Sequence, residues 1–412
     1  MKRVVEDTLF ATFKSLTNRS FAFLWSGQVI SNLGDSLYQI ALAWWVLEKT
    51  GSATAMGLVF VFSFTPMVIF LLIGGVAVDR FSRLRLMLSS DLFRATVVGI
   101  VAFLAFSKRL EVWHLYIASF TFGFVDAFFR PAYTALIPDM VSSENLTSAN
   151  SLTTLSKETT NVIGPMIGAI LVSFGGTSFA FALDAFSFII SALCLIAIPK
   201  LSQEHFPKVK TSKFIQSLRE GMTTILLQPW LWVTISIFSL VNITISGPRQ
   251  VTLPFLIKDY LHGDVNLLGF LYSLISLGAI LAALFLGQKN HIRRRGLWAY
   301  GATFTCGLMG IVFGISHSIS LIAVASIIQG FSMTVFSLIW TKTLQEIVPR
   351  EKLGRVASID ALGSFALLPL GFALAGWSTE LLGPSWVYIL SGSITALLAL
   401  LGLMHPTVRR FE

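Results

Sequence analysis

The chain has 412 residues, of which 54% are hydrophobic and only 12% are charged, and its formal net charge is +9. Soluble domains carry roughly 25% charged residues, so this composition excludes a water-soluble globular protein. The lysines and arginines separate apolar stretches instead of gathering on one polar face, which excludes nucleic-acid binding as the reason for the positive charge.

Apolar stretches long enough to cross a membrane recur along the whole sequence. A helix needs roughly 20 apolar residues to cross the hydrocarbon core. Twelve such spans are predicted, at residues 21–46, 53–78, 86–106, 113–134, 155–174, 178–198, 229–248, 265–286, 297–315, 319–340, 360–381 and 384–404. The first span is too long for a signal-peptide core, so we expect it to be retained.

The distribution of basic residues predicts the orientation of these spans. With the amino terminus in the cytoplasm, the cytoplasmic segments contain 22 of the 30 lysines and arginines, and the outer segments contain five. This asymmetry follows the positive-inside rule, which an odd number of spans would not satisfy. The sequence therefore predicts a multi-pass protein of the bacterial inner membrane with both termini in the cytoplasm.

The sequence contains an internal repeat. A shift of 207 residues superimposes Leu24 on Leu231 and Gly164 on Gly371, so the same offset matches the first and the fifth spans. The predicted fold class is an all-α membrane protein with twelve helices in two pseudo-symmetric six-helix bundles. The bundles are predicted at residues 1–198 and 229–412, with a cytoplasmic linker at 199–228. Parallel repeats of this kind occur in transporters that bind substrate near the bilayer midplane.

Polar side chains form a stripe on one face of the first span. Its members are spaced three or four residues apart, and they are Gln28, Asn32, Asp35 and Gln39. The repeat places the equivalents of Asn32, Asp35 and Gln39 in the seventh span, at Ser239, Asn242 and Ser246. We expect both stripes to line a cavity that binds substrate or protons. Gln329 and Trp340 in the tenth span are further lining candidates.

Asp35 is the predicted proton carrier within that stripe. Its neighbours are uncharged, it lies near the middle of the span, and burial favours the protonated form of a carboxyl group. The alternative is a structural polar group that hydrogen bonds satisfy inside the bundle. Asp184 in the sixth span and Asp360 in the eleventh are weaker candidates, and Asp360 also fits the first turn of a helix, where negative charge is favourable.

Two pairs of opposite charges lie inside the third and fourth spans. Asp91 and Arg94 are three residues apart, and Asp126 and Arg130 are four apart, so each pair can meet on one helix face. A charge in hydrocarbon costs about 2.5–3.5 kcal/mol, so each needs a partner or a function. The pairs either fix the helix register as static ion pairs or form a network that gates the inner opening. Asp126 is an alternative proton carrier.

A short motif ends the second span. Gly75 is followed after three residues by Asp79 and Arg80, and then by a basic turn that contains Arg83. This motif resembles the signature of the major facilitator superfamily, with Ser82 where the family usually has glycine. The resemblance implies a latch in which Asp79 makes a contact that forms in one access state and breaks in the other. The alternative is a run of charges that only sets topology, which explains Arg83 but not Gly75.

Three further segments narrow this resemblance. Residues 126–132 with 144–151, and residues 348–358 in the second half, resemble the macrolide-efflux and siderophore-exporter branch. Gly164, Pro165 and Gly168 resemble the glycine–proline motif of proton-coupled antiporters; close helix packing is the other interpretation, and both can hold together. The resemblance implies a secondary transporter that exports small hydrophobic or amphipathic molecules, such as drugs, macrolides or siderophores, in exchange for protons.

The sequence points away from catalysis. It has no glycine-rich ATP-binding loop, and its six histidines lie at span ends or in loops, so we predict no catalytic residue, cofactor or metal. The expected partners are a small-molecule substrate, protons and the lipid bilayer, without nucleic acid, and the expected state is a monomer. The alternatives left open are a lysophospholipid or metabolite transporter of the same fold, a membrane sensor that does not transport, and a membrane enzyme.

Overall fold

The computed structural model of the protein describes residues 13–78, 80–199, 220, 222–288 and 293–409, and these contain helices and turns without a β-strand. The long helices are α1 (Arg19–Thr50), α2 (Ala53–Val78), α3 (Arg83–Phe106), α4 (Val112–Met140), α5 (Leu146–Ile196), α6 (Pro229–Gly247), α7 (Val265–Gly287), α8 (Arg295–Ile315), α9 (Ile319–Ile347), α10 (Arg350–Ala366), α11 (Leu368–Leu382) and α12 (Pro384–Met404). The chain continues from α6 through π-helical turns at Pro248–Thr252 and Leu256–Tyr260. The shorter helical turns are Lys14–Thr17, Ser143–Asn145, Leu253–Phe255 and Pro406–Arg409.

The helix lengths account for the predicted spans. Within the described residues, ten helical segments are long and apolar enough to cross a membrane. α1 is not among them because its polar stripe lowers its mean hydropathy, although its 32 residues exceed the roughly 20 that a span requires. α10 and α11 count together as one of the ten, at Lys352–Leu382. α5 also counts once, but its 51 residues contain a non-helical residue, Gly176, that divides it into the fifth and sixth predicted spans. The predicted all-α membrane fold is confirmed.

Polar side chains begin several of these helices. The first turn of a helix leaves backbone N–H groups without partners, and a preceding serine or aspartate side chain accepts from one of them. Asp264 accepts from the backbone N–H of Leu267 at the start of α7, and Ser318 accepts from that of Leu321 at the start of α9. The short turns between apolar spans therefore carry the signals that start the next helix.

The 207-residue repeat is visible in the helix boundaries. α4 and α9 begin and end at positions that are 207 residues apart. Gly176 and Gly383 show the same separation, with φ angles of +73° and +83°. Glycine adopts this left-handed conformation without steric strain, so each glycine ends one helical segment and lets the next begin in a new direction.

The chain divides into two compact units. The first comprises Met1–Trp45 and Thr65–Val209, and the second comprises Val46–Phe64 and Lys210–Glu412. Within the first unit α3 packs against α4 and α5, and within the second unit α8 packs against α9 and α12. The repeat therefore extends from sequence to helix packing. Most of the predicted linker at 199–228 lies outside the described residues.

Two adjacent glycines in α2 provide a test of helix packing in the first unit. A Cβ at Gly74 would lie 1.9 Å from the carbonyl oxygen of Ala127 in α4, whereas no described atom lies within 4 Å of a Cβ at Gly75. We expect Gly74→Ala to lower the melting temperature of the purified protein, because overpacking costs about 1–3 kcal/mol. Gly75→Ala is the matched control and is expected to keep or raise that temperature, since alanine favours the helix. Equal melting temperatures for the two variants would contradict the close α2–α4 contact.

Candidate functional site

Four helical segments of the first unit bring charged side chains together inside the membrane-spanning region. This charge cluster consists of Asp35, Asp91, Arg94, Asp126, Arg130 and Asp184. Gly34 lets α1 approach the second part of α5, because a Cβ there would lie 2.1 Å from Ser187 Oγ and 2.5 Å from Asp184 Oδ1. Small residues permit such close backbone contacts between membrane helices.

Asp91 and Arg94 form the buried centre of the charge cluster. The two residues are 0% and 3% exposed, and Arg94 Nη2 donates to Asp91 Oδ1 at 2.8 Å. Ser191 Oγ donates to Asp91 Oδ2 at 2.6 Å and accepts from Gln28 Nε2 at 3.3 Å. Both oxygens of Asp91 are therefore satisfied, as a buried carboxylate requires, and the hydrogen bonds connect α1, α3 and α5.

Arg94 also contacts α4 and two aromatic rings. Its Nη1 lies 3.6 Å from Asp126 Oδ1, which makes an ion pair between α3 and α4. The guanidinium carbon lies 4.1 Å from the ring centroid of Phe129 and 4.7 Å from that of Phe188. Cation–π attraction of this kind stabilises a desolvated guanidinium. Arg94 is thus held between two carboxylates and two rings.

Asp126 and Arg130 form the exposed edge of the charge cluster. Arg130 Nη2 and Nε donate to Asp126 Oδ2 at 3.0 Å and 3.2 Å. The Arg130 side chain is 66% exposed, and that of Asp126 is 24% exposed. Exposed ion pairs contribute about 0–1 kcal/mol, so this pair adds little to stability. Asp126 is shared between an exposed arginine and the buried Arg94.

Asp35 and Asp184 carry no ion pair with any described residue. Asp184 is 0% exposed, and its Oδ1 accepts from Ser187 Oγ at 3.3 Å, while its Oδ2 has no hydrogen-bond partner among the described residues. Asp35 is half-buried, and the charge of Arg94 acts on both aspartates. When all six groups are ionised the cluster has four negative and two positive charges. Binding a proton at Asp35 or Asp184 removes a charge that no described lysine or arginine balances in an ion pair.

The rest of the first-span stripe does not share one environment. Gln28 is buried and completes the hydrogen bonds around Asp91, as described above. Asn32 is half-buried and Gln39 is exposed. Gln28 therefore faces α5, whereas the other three side chains of the stripe retain exposed surface.

The equivalent stripe in the second unit meets α10. Ser239 Oγ donates to the carbonyl oxygen of Gly363 at 2.9 Å, and Asn242 Nδ2 donates to that of Ser364 at 3.4 Å. Ser246 is half-buried, and Gln329 in α9 is buried. The predicted lining residues of the second unit therefore differ in environment. Ser239 and Asn242 contact backbone carbonyl groups of α10, Gln329 is buried, and Ser246 is partly exposed.

The glycine–proline motif of the fifth span packs against α1. A Cβ at Gly164 would lie 2.5 Å from Ser36 Cβ, and one at Gly168 would lie 3.2 Å from Leu37 Cα. Pro165 lies inside α5 between these contacts. The motif therefore lies at a close contact between α1 and α5, as the small-residue interpretation describes, and an antiporter motif can occupy the same contact.

Only some residues of the predicted latch at the end of the second span lie within the part of the chain that the structure describes. Asp79 lies outside the described residues, and Gly75 and Arg80 are exposed. Arg83 Nη1 donates to Asp139 Oδ2 at 2.5 Å and to the carbonyl oxygen of Ala135 at 2.8 Å. Ser82, which replaces the usual glycine, accepts a hydrogen bond from the backbone of the first turn and begins α3. The basic turn is thus attached to α4 through a partner, Asp139, that was not predicted.

Comparison with known proteins identifies the family to which this chain belongs. The fold and the charged residues inside its helices are those of a multi-pass transporter, and residues 10–412 match the family described as transmembrane secretion effectors. The chain belongs to this family, a group of efflux transporters within the major facilitator superfamily. The predicted superfamily is therefore confirmed, and the protein is a transporter of small molecules rather than an enzyme.

Relatives and solved structures agree with this assignment. The chain is 25% identical to macrolide efflux protein A of Streptococcus pyogenes over 396 residues, with 95% of this chain and 97% of the relative covered. It is 29% identical over 368 residues to the enterobactin exporter EntS of Shigella boydii, with 86% of each chain covered. A bacterial homologue of the iron transporter ferroportin, solved in an inward-facing state, has a TM-score of 0.69 at 16% identity, with 94% of this chain and 99% of that one covered. A bacterial homologue of the human lysosomal transporter Spinster has a TM-score of 0.71 at 14% identity, with 96% and 98% covered, and both structures support the fold alone.

Proposed function

We propose that the protein exports a small hydrophobic or amphipathic molecule from the bacterial cytoplasm in exchange for protons. The efflux family supports the direction, and the names of the relatives favour a macrolide-like or siderophore-like substrate. The observation that carries proton exchange is the presence, beside the buried Asp91–Arg94 pair, of two aspartates that form no ion pair with any residue in the described ranges.

Asp35 is the proposed site of proton exchange. It is the less buried of the two unpaired aspartates, so water can reach it more readily than Asp184. Proton binding removes the attraction between Asp35 and Arg94, whereas Arg94 keeps its ion pairs with Asp91 and Asp126. Since these residues lie on α1, α3 and α4, the proton changes the forces between helices. A ligand that changes those forces shifts the balance between two conformations, as alternating access requires.

Several associated expectations belong to this proposal. The Asp91–Arg94–Asp126 contacts are the proposed gate, and Gly75, Asp79 and Arg80 are the proposed latch at the end of α2. We also propose an inner-membrane location with cytoplasmic termini, a monomeric transporter, and movement of the predicted halves at 1–198 and 229–412 during transport.

Transport in inverted membrane vesicles tests the proposal. Export from the cell corresponds to uptake into these vesicles, so an acidic lumen should drive accumulation of radiolabelled erythromycin, a macrolide, while protons leave. We expect accumulation well above that of vesicles without the protein, and we expect a protonophore to abolish the difference. Vesicles from cells that carry the empty plasmid provide the control. Accumulation that persists with protonophore would retain efflux but remove proton exchange.

A further inference from the structure

The second unit contains a cavity that the proton-exchange proposal does not use. It has a volume of about 280 Å³ and lies between α6, α8, α9 and α10. Ligand pockets range from roughly 300 to 1,000 Å³, so this cavity fits a compact ligand or one end of a larger one. Its wall includes four aromatic side chains, which are Phe238, Phe336, Trp340 and Phe365.

Among the described residues that form the wall of this cavity, Asp360 is the one that carries a charge. Its Oδ2 accepts a hydrogen bond from Trp340 Nε1 at 3.0 Å, and no lysine or arginine in the described part of the chain forms an ion pair with it. An ionised carboxylate is costly in such apolar surroundings unless a cation balances it. Because the described residues supply no such cation, a ligand is the candidate source.

Aromatic side chains form a stacked row next to Asp360. Phe238 and Phe336 stack with centroids 3.4 Å apart, and Phe336 stacks with Trp340 at 6.2 Å and an interplanar angle of 13°. Aromatic faces attract cations, and indole does so most strongly. The hydrogen bond to Asp360 fixes the indole beside the carboxylate. A carboxylate and an aromatic wall thus occur together in one cavity.

We propose that this cavity binds the cationic end of an organic amphiphile, with Asp360 as its counter-ion and Trp340 as its aromatic wall. Asn242 lies in the same wall and adds a polar group beside the apolar surface. The carboxylate disfavours an acidic ligand, which gives the site its selectivity by charge. The statement that this ligand is cargo rests on the proposed export function. The binding itself requires only the cavity.

Two probes of similar shape and different charge test the site. The probes are methyltriphenylphosphonium, a permanent cation, and triphenylphosphine oxide, which is neutral. Calorimetry on the full-length protein in nanodiscs should show binding of the cation at least about tenfold tighter than that of the oxide. Asp360→Asn should lose about tenfold or more of the cation affinity and keep its affinity for the oxide.

Two further variants complete the comparison. Asp259→Asn removes an exposed carboxylate from the same unit and should leave both affinities unchanged. Trp340→Phe keeps an aromatic ring but removes the donor to Asp360, so it should lower cation affinity less than Asp360→Asn does. Unchanged affinity for the oxide shows in each case that the variant is folded.

The outcomes separate this site from the proposed function. Equal cation affinity in wild-type protein and Asp360→Asn, or no preference for the cation in wild-type protein, overturns the site even if vesicles accumulate erythromycin. Charge-selective binding that disappears in Asp360→Asn supports the site even if the vesicles transport nothing, and in that case only the export proposal fails.

Discussion

Asp35→Asn is expected to reduce proton-driven accumulation of erythromycin in acid-loaded inverted vesicles to the level of vesicles without the protein. The amide has nearly the same shape as the carboxyl group but cannot bind and release the coupling proton. Asp35 makes no ion pair with a described residue, so its replacement leaves no cation without its partner. The loss therefore concerns coupling and not the integrity of the first unit, and uptake measured with and without a pH gradient gives the required comparison.

Two controls make this result specific. Exchange of labelled for unlabelled erythromycin at equal pH needs no net proton movement, so the Asp35→Asn variant should retain it. Glu144→Gln removes an exposed carboxylate from the same unit and should keep proton-driven uptake. Full proton-driven uptake by the Asp35→Asn variant would rule out Asp35 as the carrier, and Asp184→Asn would then test the second unpaired aspartate of the charge cluster.

Local spacing predicts the parts of the charge cluster that lie within one helix. Asp91 with Arg94, and Asp126 with Arg130, are neighbours because residues three or four apart share a helix face, and both pairs are present in the structure. The contact between Arg94 and Asp126 joins two helices, and no spacing rule contains it. It depends on how α3 packs against α4, and the spacing of residues within one helix does not show which residues of another helix they meet.

Packing between helices also decides which polar residues of a stripe face open space. Gln28 shares a helix face with Asp35, but its neighbour is Ser191 of α5, so it stabilises Asp91 instead of lining open space. Asp184, Ser187 and Ser191 lie three and four residues apart in the sixth span, which is the same signal that identified the stripe in the first span. That spacing places the three side chains on one helix face, so it predicts a second polar stripe, and in the structure this stripe faces the first span. The close approach of α1 to α5 at Gly34 becomes visible only in the structure.

The twelve spans were predictable because hydrophobic length is a strong signal. The polar stripe of α1 weakens that signal, and the positive-φ glycine at 176 marks a division that apolar length alone does not give. The repeat supplies the missing information, since Gly383 occupies the equivalent position before α12. Equivalent glycines in the two halves of one chain thus indicate a helix boundary that would otherwise be inferred from an alignment of related sequences.

Arg94→Met is expected to lower the free energy of unfolding by about 3–5 kcal/mol, because it leaves Asp91 buried without a counter-charge. Arg130→Met is the matched control, and its loss should be about 0–1 kcal/mol because the Arg130 side chain is 66% exposed. Reversible unfolding of the purified protein in mixed micelles measures both changes. Similar losses for the two variants would contradict the central position of Arg94 in the charge cluster.

The double variant Asp91→Asn/Arg94→Met distinguishes a static pair from a switching one. It removes both charges of the buried pair, so it should recover much of the stability that Arg94→Met loses. If the charges only fix the helix register, transport should recover together with stability. If Arg94 must respond to the protonation of Asp35, the double variant should be stable and still fail to accumulate erythromycin in acid-loaded vesicles. We expect the second result, because the charge of Arg94 acts on Asp35 as well as on its paired aspartates, and substitution by methionine removes that interaction permanently.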